Sequence, residues 1–117
     1  MVPMLLASCA GPKTETERYH RTVSDNLAGT GAVAELQRES IRALEQGNNQ
    51  LAIEILQRAI KIDPRNPISW HHLAQAYRHS GNYDRCIDML ERSIGYSSVD
   101  DDLDRANSAL RHLCIDN

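Results

Sequence analysis

Residues 67–83 read PISWHHLAQAYRHSGNY, and this stretch decides the fold. Trp70, Leu73 and Tyr77 recur at spacings of three and four residues, which places their side chains on one face of a helix. Gly81 follows shortly after, and a glycine readily takes the left-handed backbone conformation that ends a helix. The stretch therefore predicts an amphipathic helix with a defined end.

An internal repeat relates this helix to an earlier part of the chain. A shift of 34 residues aligns Leu36 with Trp70, Ser40 with Ala74, Ala43 with Tyr77, Gly47 with Gly81, Ala52 with Cys86, Leu56 with Leu90, and Ala59 with Ser93. The small residues in the second half of each copy allow two helix axes to approach closely. A period of this length predicts stacked pairs of helices.

The repeat resembles the tetratricopeptide-repeat (TPR) family. Residues 70–77 stand where that family shows W-x2-L-G-x2-Y, and residues 52–64 match A-x3-F-x2-A-x4-P with Leu56 in place of Phe. The resemblance covers about two thirds of the chain. It implies an all-α fold, a TPR-like α-solenoid of two helix–turn–helix repeats with a C-terminal capping helix.

The chain divides into three parts on this interpretation. The predicted parts are a residual lipoprotein signal at 1–9, a flexible tether at 10–32 and a TPR domain at 33–117. Within the domain we expect repeats at about 33–66 and 67–99 and a capping helix at about 100–114. The expected helices are at about 33–47, 50–62, 67–80, 84–96 and 100–114.

The capping helix is expected to seal the last repeat with an apolar stripe and to turn a polar face outward. The residues expected to face inward are Leu103, Ala106, Leu110 and Leu113, and those expected to face outward are Arg105, Asn107, Ser108 and Arg111. Because two repeats make a small core, burial against a partner or self-association is also expected.

The N-terminus resembles the end of a bacterial lipoprotein signal peptide. Leu6-Ala7-Ser8-Cys9 fits the lipobox pattern of aliphatic, small, small and Cys, which implies that Cys9 is lipidated. No Lys or Arg precedes the short apolar stretch, and a start codon assigned too late explains this departure from a full signal. The alternative is a chance match in a cytosolic protein. Residues 10–32 are polar and glycine-containing, which predicts the tether.

The remaining composition excludes several kinds of function. A net charge of −3 argues against nucleic acid as a partner, since phosphate binding needs a basic surface. His71, His72 and His79 lack the i, i+4 spacing of a metal-binding helix, and no CxxC pair is present. No nucleophile elbow, Gly-rich phosphate loop or HExxH motif occurs. We therefore expect neither an enzyme, nor a metal site, nor a cofactor.

The TPR resemblance implies a partner-binding groove lined by the first helix of each repeat. The residues mapped to this groove are Gln37, Arg38, Ile41, Ile68, His71, His72, Gln75, Arg78 and His79. The expected partner is another protein, and the membrane is expected to be contacted only through the lipid on Cys9.

The complete architecture is similar to that of small TPR lipoproteins that activate penicillin-binding proteins. This resemblance implies a periplasmic adaptor on the outer membrane, whose partner is a peptidoglycan synthase or a secretion or pilus component. Ala10 agrees with an outer-membrane location, since Asp after the lipidated Cys is the familiar inner-membrane retention signal. The alternative is a cytosolic TPR scaffold fragment without a lipid anchor.

Two interpretations of Cys86 and Cys114 remain open. The fifth helix of such a solenoid runs alongside the third, which brings Cys114 near the turn that precedes Cys86 and permits a disulfide. Alternatively, Cys86 packs like an alanine and Cys114 lies in a frayed terminus.

Overall fold

The computed structural model describes residues 31–97 and 101–116. Regular secondary structure in this part of the chain is entirely helical. The helices are α1 (Ala32–Glu45), α2 (Asn49–Ile62), α3 (Pro67–His79), α4 (Tyr83–Tyr96) and α5 (Asp101–Ile115). The expected lipobox, including Cys9, and the expected tether as far as residue 30 lie outside the described residues.

The helices stack in the order of the chain. Each helix packs against the next one, and α3 additionally contacts both α1 and α5. Helices α1, α3 and α5 therefore form one row, with α2 and α4 packed against it. This arrangement confirms the predicted all-α solenoid of two helix pairs and a closing helix.

A Gly–Asn pair makes the turn inside each repeat. Gly47 and Gly81 have φ angles of 76° and 81°, which only glycine adopts without strain. The backbone N–H groups of Asn48 and Asn82 donate to carbonyls five residues earlier, at 2.9 and 2.8 Å. Their side chains then accept the backbone N–H three residues ahead, at 3.2 and 3.3 Å. Each pair thus ends one helix and caps the next.

The turn between the repeats is fixed from both sides. Asn66 caps α3 by accepting the backbone N–H of Ile68 at 3.0 Å, and Pro67 occupies the first turn. The Trp70 Nε1–H donates to the Pro64 carbonyl at 2.8 Å. The indole therefore satisfies its polar atom within the turn while its ring contributes to the core.

The core runs through the stack without a break at the repeat boundary. Positions 34 residues apart in α2 and α4 are fully excluded from solvent, namely Ala52, Leu56, Ala59, Cys86, Leu90 and Ser93. Small side chains stand on either side of one leucine in both helices. Both helices can therefore approach α3 closely, as the repeat predicted.

The inward face of α5 differs from the expected one at two positions. Leu113 is 46% exposed, whereas Asn107 is 1% exposed, so the expectation was wrong for both. The buried residues are Leu103, Ala106, Asn107, Leu110 and Cys114. The stripe repeats at intervals of three and four residues around Leu110, which places its members on one helix face. Cys114 lies four residues after Leu110 and belongs to this face, whereas Leu113 lies further around the helix. An asparagine was expected outside because of its polarity, and its hydrogen bonds, described below, explain its burial.

A disulfide joins Cys86, in the first turn of α4, to Cys114, in the last turn of α5. The Cα atoms are 6.4 Å apart, and 28 residues separate the two cysteines in the sequence. The bridge fastens the closing helix to the second repeat. Of the two interpretations left open by the sequence, the structure contains the bridged one.

We expect Leu56→Ala to destabilise the domain by about 2–5 kcal/mol, because a fully buried leucine leaves a cavity when it is truncated. Ile62→Ala in the same helix is the matched control. Ile62 is 57% exposed, so its truncation should change stability by no more than about 0.5 kcal/mol. Urea denaturation of the oxidised proteins measures both effects. Equal urea midpoints for the two variants would contradict this description of the core.

We expect reduction of the disulfide to lower the free energy of unfolding by roughly 3–4 kcal/mol, the chain-entropy value for a loop of this length. The measurement compares urea denaturation with and without dithiothreitol. A Cys86→Ala, Cys114→Ala variant serves as the control, because its stability should not respond to the reductant. A wild-type protein that is equally stable in both conditions would show that the bridge does not constrain the unfolded chain.

Candidate functional site

The structure buries four of the nine residues mapped to the predicted groove. The four buried residues are Gln37, His71, His72 and Gln75. The expectation that these side chains line an open groove is therefore wrong for Gln37, His71 and His72, which are at most 1% exposed, and Gln75 keeps only 8% of its surface exposed. Arg38, Ile41, Ile68 and Arg78 are half-buried, and His79 is exposed. A binding role for these five stays a prediction.

Gln37 is buried because it joins the two repeats. Its Nε2 donates to the Ser69 hydroxyl at 2.8 Å and lies 3.4 Å from the Asn66 side-chain oxygen. Ser69 is itself buried in the first turn of α3. The amide thus belongs to the interface between α1 and α3.

His71 is buried because it begins a hydrogen-bonded chain that reaches α5. Its Nδ1 lies 2.8 Å from the Asn107 Oδ1, and the Asn107 Nδ2 donates to the Ser93 hydroxyl at 3.0 Å. The Ser93 hydroxyl donates in turn to the Pro67 carbonyl at 2.9 Å. The hydrogen bond from Asn107 Nδ2 to Ser93 fixes the orientation of the Asn107 amide. Its Oδ1 can therefore only accept from His71, which assigns the proton of the imidazole ring to Nδ1. The chain links three helices through groups that are fully or largely buried.

Burial lowers the pKa of His71 from 6.5 to about 4, and the hydrogen bond to Asn107 opposes this shift. The neutral ring is thus the form that fits the folded protein, because a buried imidazolium loses its hydration. Partial burial also lowers the pKa of His79, and the neighbouring Arg78 lowers it further. Neither histidine is therefore a source of positive charge at neutral pH.

A groove lies on the opposite side of α3 from the predicted one. Its floor is formed by the largely buried Trp70, Leu73 and Tyr77. Its walls come from α2, which contributes the exposed Arg58 and Lys61, and from α4, which contributes Met89. The remaining lining residues are Glu54, Gln57 and Ile60. We call this the α2–α4 groove; its volume is about 600 Å³, within the range of ligand pockets.

Two further arginines contact the aromatic floor of this groove. The Arg92 guanidinium lies 5.0 Å from the centre of the Trp70 ring, and that of Arg85 lies 5.5 Å from the centre of the Tyr77 ring. Arg85 also donates to the Tyr77 hydroxyl at 3.2 Å. Both arrangements are cation–π contacts, which hold the positive charges beside the groove.

The sequence contained part of the signal for this groove. The motif from Trp70 to Tyr77 predicted a helix face that packs inward, and most of that face does so. Arg58 and Lys61 were not predicted to be site residues, because the linear sequence does not show that side chains of α2 and α4 border the same space. The two arginines of α4 were missed for the same reason.

The described residues offer little for other chemistry. They contain no group of three or more His, Cys, Asp or Glu side chains placed to hold a metal ion. None of the described helices combines the length and the apolarity that a membrane span requires.

We expect His71 to make the protein acid-sensitive. Between pH 6.5 and 4 the unfolded chain binds the proton that the folded protein excludes, so stability falls as the pH is lowered through this window. At pH 4 the loss from this residue should reach about 3 kcal/mol relative to pH 7. His71→Asn keeps a donor toward Asn107 but does not titrate. Urea denaturation at both pH values should therefore show a smaller loss for the variant, and equal losses would refute the assignment.

Comparisons with known proteins agree with this architecture. A family model described as tetratricopeptide repeat matches residues 43–106, which is 64 of the 117 residues. Tetratricopeptide repeat protein 36 of Caenorhabditis briggsae is 34% identical over 61 residues, which cover 52% of this chain and 34% of that protein. The chain thus spans about a third of the length of this curated relative. No solved structure matches the chain significantly.

Proteins with such repeats generally act as protein–protein interaction modules and generally lack enzymatic activity. The family model covers more than half of the chain, from the end of α1 into α5, and the helices pack as two repeats and a closing helix. On both grounds, the protein belongs to the tetratricopeptide-repeat family.

Proposed function

We propose that this protein is a non-enzymatic adaptor of the bacterial cell envelope, anchored to the periplasmic face of the outer membrane by a lipid on Cys9. The observation that carries the proposal is the disulfide between Cys86 and Cys114. Disulfides persist in the periplasm and in secreted proteins and are rare in the cytosol, where thiols are kept reduced. The bridge therefore favours a location outside the cytoplasm.

The third cysteine supplies the anchor in this proposal. The chain has three cysteines, and the bridge uses two of them, which leaves Cys9 for acylation. Cys9 stands at the end of Leu6-Ala7-Ser8-Cys9, the sequence that resembles a lipobox. A mostly polar segment, residues 10–31, then separates it from α1 (Ala32–Glu45), a length that lets the domain reach away from the membrane surface.

The role of the domain in this proposal is to hold another envelope protein. TPR domains generally bind proteins. The architecture of lipobox, tether and TPR domain resembles that of small TPR lipoproteins that act on peptidoglycan synthases. A secretion or pilus component is the second kind of partner that the resemblance suggests. The predicted groove on the first helix of each repeat, α1 and α3, is called here the helix-A surface. It contributes Arg38, Ile41, Ile68, Arg78 and His79 to this binding hypothesis.

The proposal predicts incorporation of a fatty acid at Cys9. The gene, kept in its genomic context with its upstream DNA, is expressed while the bacteria are supplied with radioactive palmitate. The wild-type protein should carry the label and fractionate with the outer membrane. Cys9→Ser should abolish both, because the acceptor thiol is removed.

A Cys86→Ser, Cys114→Ser variant controls for acylation of the other thiols and should keep the label. Alkylation without reductant should leave Cys86 and Cys114 unmodified in the wild-type protein. An unlabelled protein whose two thiols both react would sink the proposal and favour the alternative, a cytosolic TPR scaffold without a lipid anchor.

A further inference from the structure

We propose that the α2–α4 groove binds an acidic peptide segment of a partner protein, which inserts an apolar side chain onto Trp70 and Tyr77. This inference rests on the proposed function only in that the domain binds proteins. It goes beyond that function by naming a second surface and the chemistry of its ligand.

The floor of the groove is suited to an apolar side chain. Trp70, Leu73 and Tyr77 are at most 9% exposed and lie at the bottom of a space of about 600 Å³. The Trp70 Nε1–H and the Tyr77 hydroxyl are both engaged in hydrogen bonds within the protein. The polar atoms of both rings therefore need no partner from a ligand, the Arg92 and Arg85 guanidinium groups lie against the rings, and Leu73 and Met89 add aliphatic atoms. An aliphatic or aromatic side chain gains free energy by leaving water for such a surface.

The charged side chains around the floor are mostly cations. Arg58 and Lys61 stand on the α2 side, and Arg85 and Arg92 lie over the floor rings from α4. Within the described residues, no carboxylate lies within 4.0 Å of any of these four cations. Glu54 is the single acidic residue among those that line the groove.

This local charge stands out against the rest of the chain. The protein has 16 acidic and 13 basic residues, and several arginines outside the groove form ion pairs. Arg38 and Arg42 pair with Glu35, Arg105 pairs with Asp102, and Arg111 pairs with Glu91. Arg58 and Lys61 line the groove, and Arg85 and Arg92 lie beside its aromatic floor. A ligand that brings its own carboxylates matches this local excess of cations.

The shape of the site favours a peptide over a lipid surface. The aromatic floor is recessed between two helices, so a flat bilayer of anionic lipids can meet the rim cations but not the rings. A peptide can place an apolar side chain into the groove and carboxylates against Arg58 and Lys61 at once.

The test selects short random peptides on the full, unlipidated chain with its disulfide intact. We expect the enriched peptides to carry several Asp or Glu residues around a Leu, Ile, Phe or Trp. The best of them is then synthesised and titrated into the protein. Because Trp70 is the only tryptophan of the chain, a peptide without tryptophan that occupies the groove should shift the fluorescence of the protein.

Two charge-reversal variants locate the site. Arg58→Glu, Lys61→Glu should weaken peptide binding by at least about tenfold, since it replaces attraction by repulsion at two rim positions. Arg105→Glu, Arg111→Glu makes the same change of net charge on α5 and should alter affinity by less than about twofold. Binding should also weaken as salt is raised.

Three outcomes would overturn the inference. One is the enrichment of no peptide, or of basic peptides. Another is peptide binding that survives Arg58→Glu, Lys61→Glu but is lost in Arg38→Glu, Arg78→Glu. The domain would then still be a binding module, but its binding site would be the helix-A surface. The third is an Arg58→Glu, Lys61→Glu variant that no longer binds phosphatidylglycerol vesicles but still binds peptides. This result would identify the groove as a lipid-binding site. Palmitate labelling of Cys9 is independent of all three outcomes.

Discussion

The closing helix is held by two side chains that stand where the first repeat has alanines. In the first repeat the small residues of α2 are Ala52 and Ala59, which are fully buried and permit close packing. In the second repeat the equivalent residues of α4 are Cys86 and Ser93, which are as small and as fully buried. The sulfur forms the bridge to Cys114, and the hydroxyl lies between Asn107 and the Pro67 carbonyl. Both positions of α4 thus keep a small side chain. In addition, the Cys86 sulfur and the Ser93 hydroxyl bind α5.

This arrangement explains how so short an array closes. A solenoid repeat buries its apolar face only against a neighbour, so the last repeat needs a cap. Helix α5 supplies apolar area through Leu103, Ala106 and Leu110, and the bridge and the His71 chain hold it in position. The polar chain also restricts how α5 can sit, because its hydrogen bonds require one register of Asn107 against His71 and Ser93.

Much of the fold could be predicted from the sequence because the signals are local or periodic. Gly47, Gly81 and the motif around Trp70 act within a few residues, and the period of 34 residues carries the stacking. Apart from Leu113, the failures concern polar residues, among them Gln37, His71 and Asn107. A polar side chain is expected at the surface unless its partners are known, and those partners, Ser69 and Ser93 among them, lie on other helices. The α2–α4 groove was missed for a similar reason, since its lining residues come from three helices, α2, α3 and α4.

The position of the disulfide has a mechanical consequence. The bridge joins the first turn of α4 to the last turn of α5, so residues 87–113 form a closed covalent loop. Tension applied between α1 and the C-terminus passes from Cys86 through the sulfur atoms to Cys114 and bypasses that loop. Under load the helices before Cys86, α1 to α3, can be drawn out, whereas the loop adds no length until the bridge is reduced. A domain built in this way would lengthen first at its N-terminal half, and its redox state would set how far it can extend.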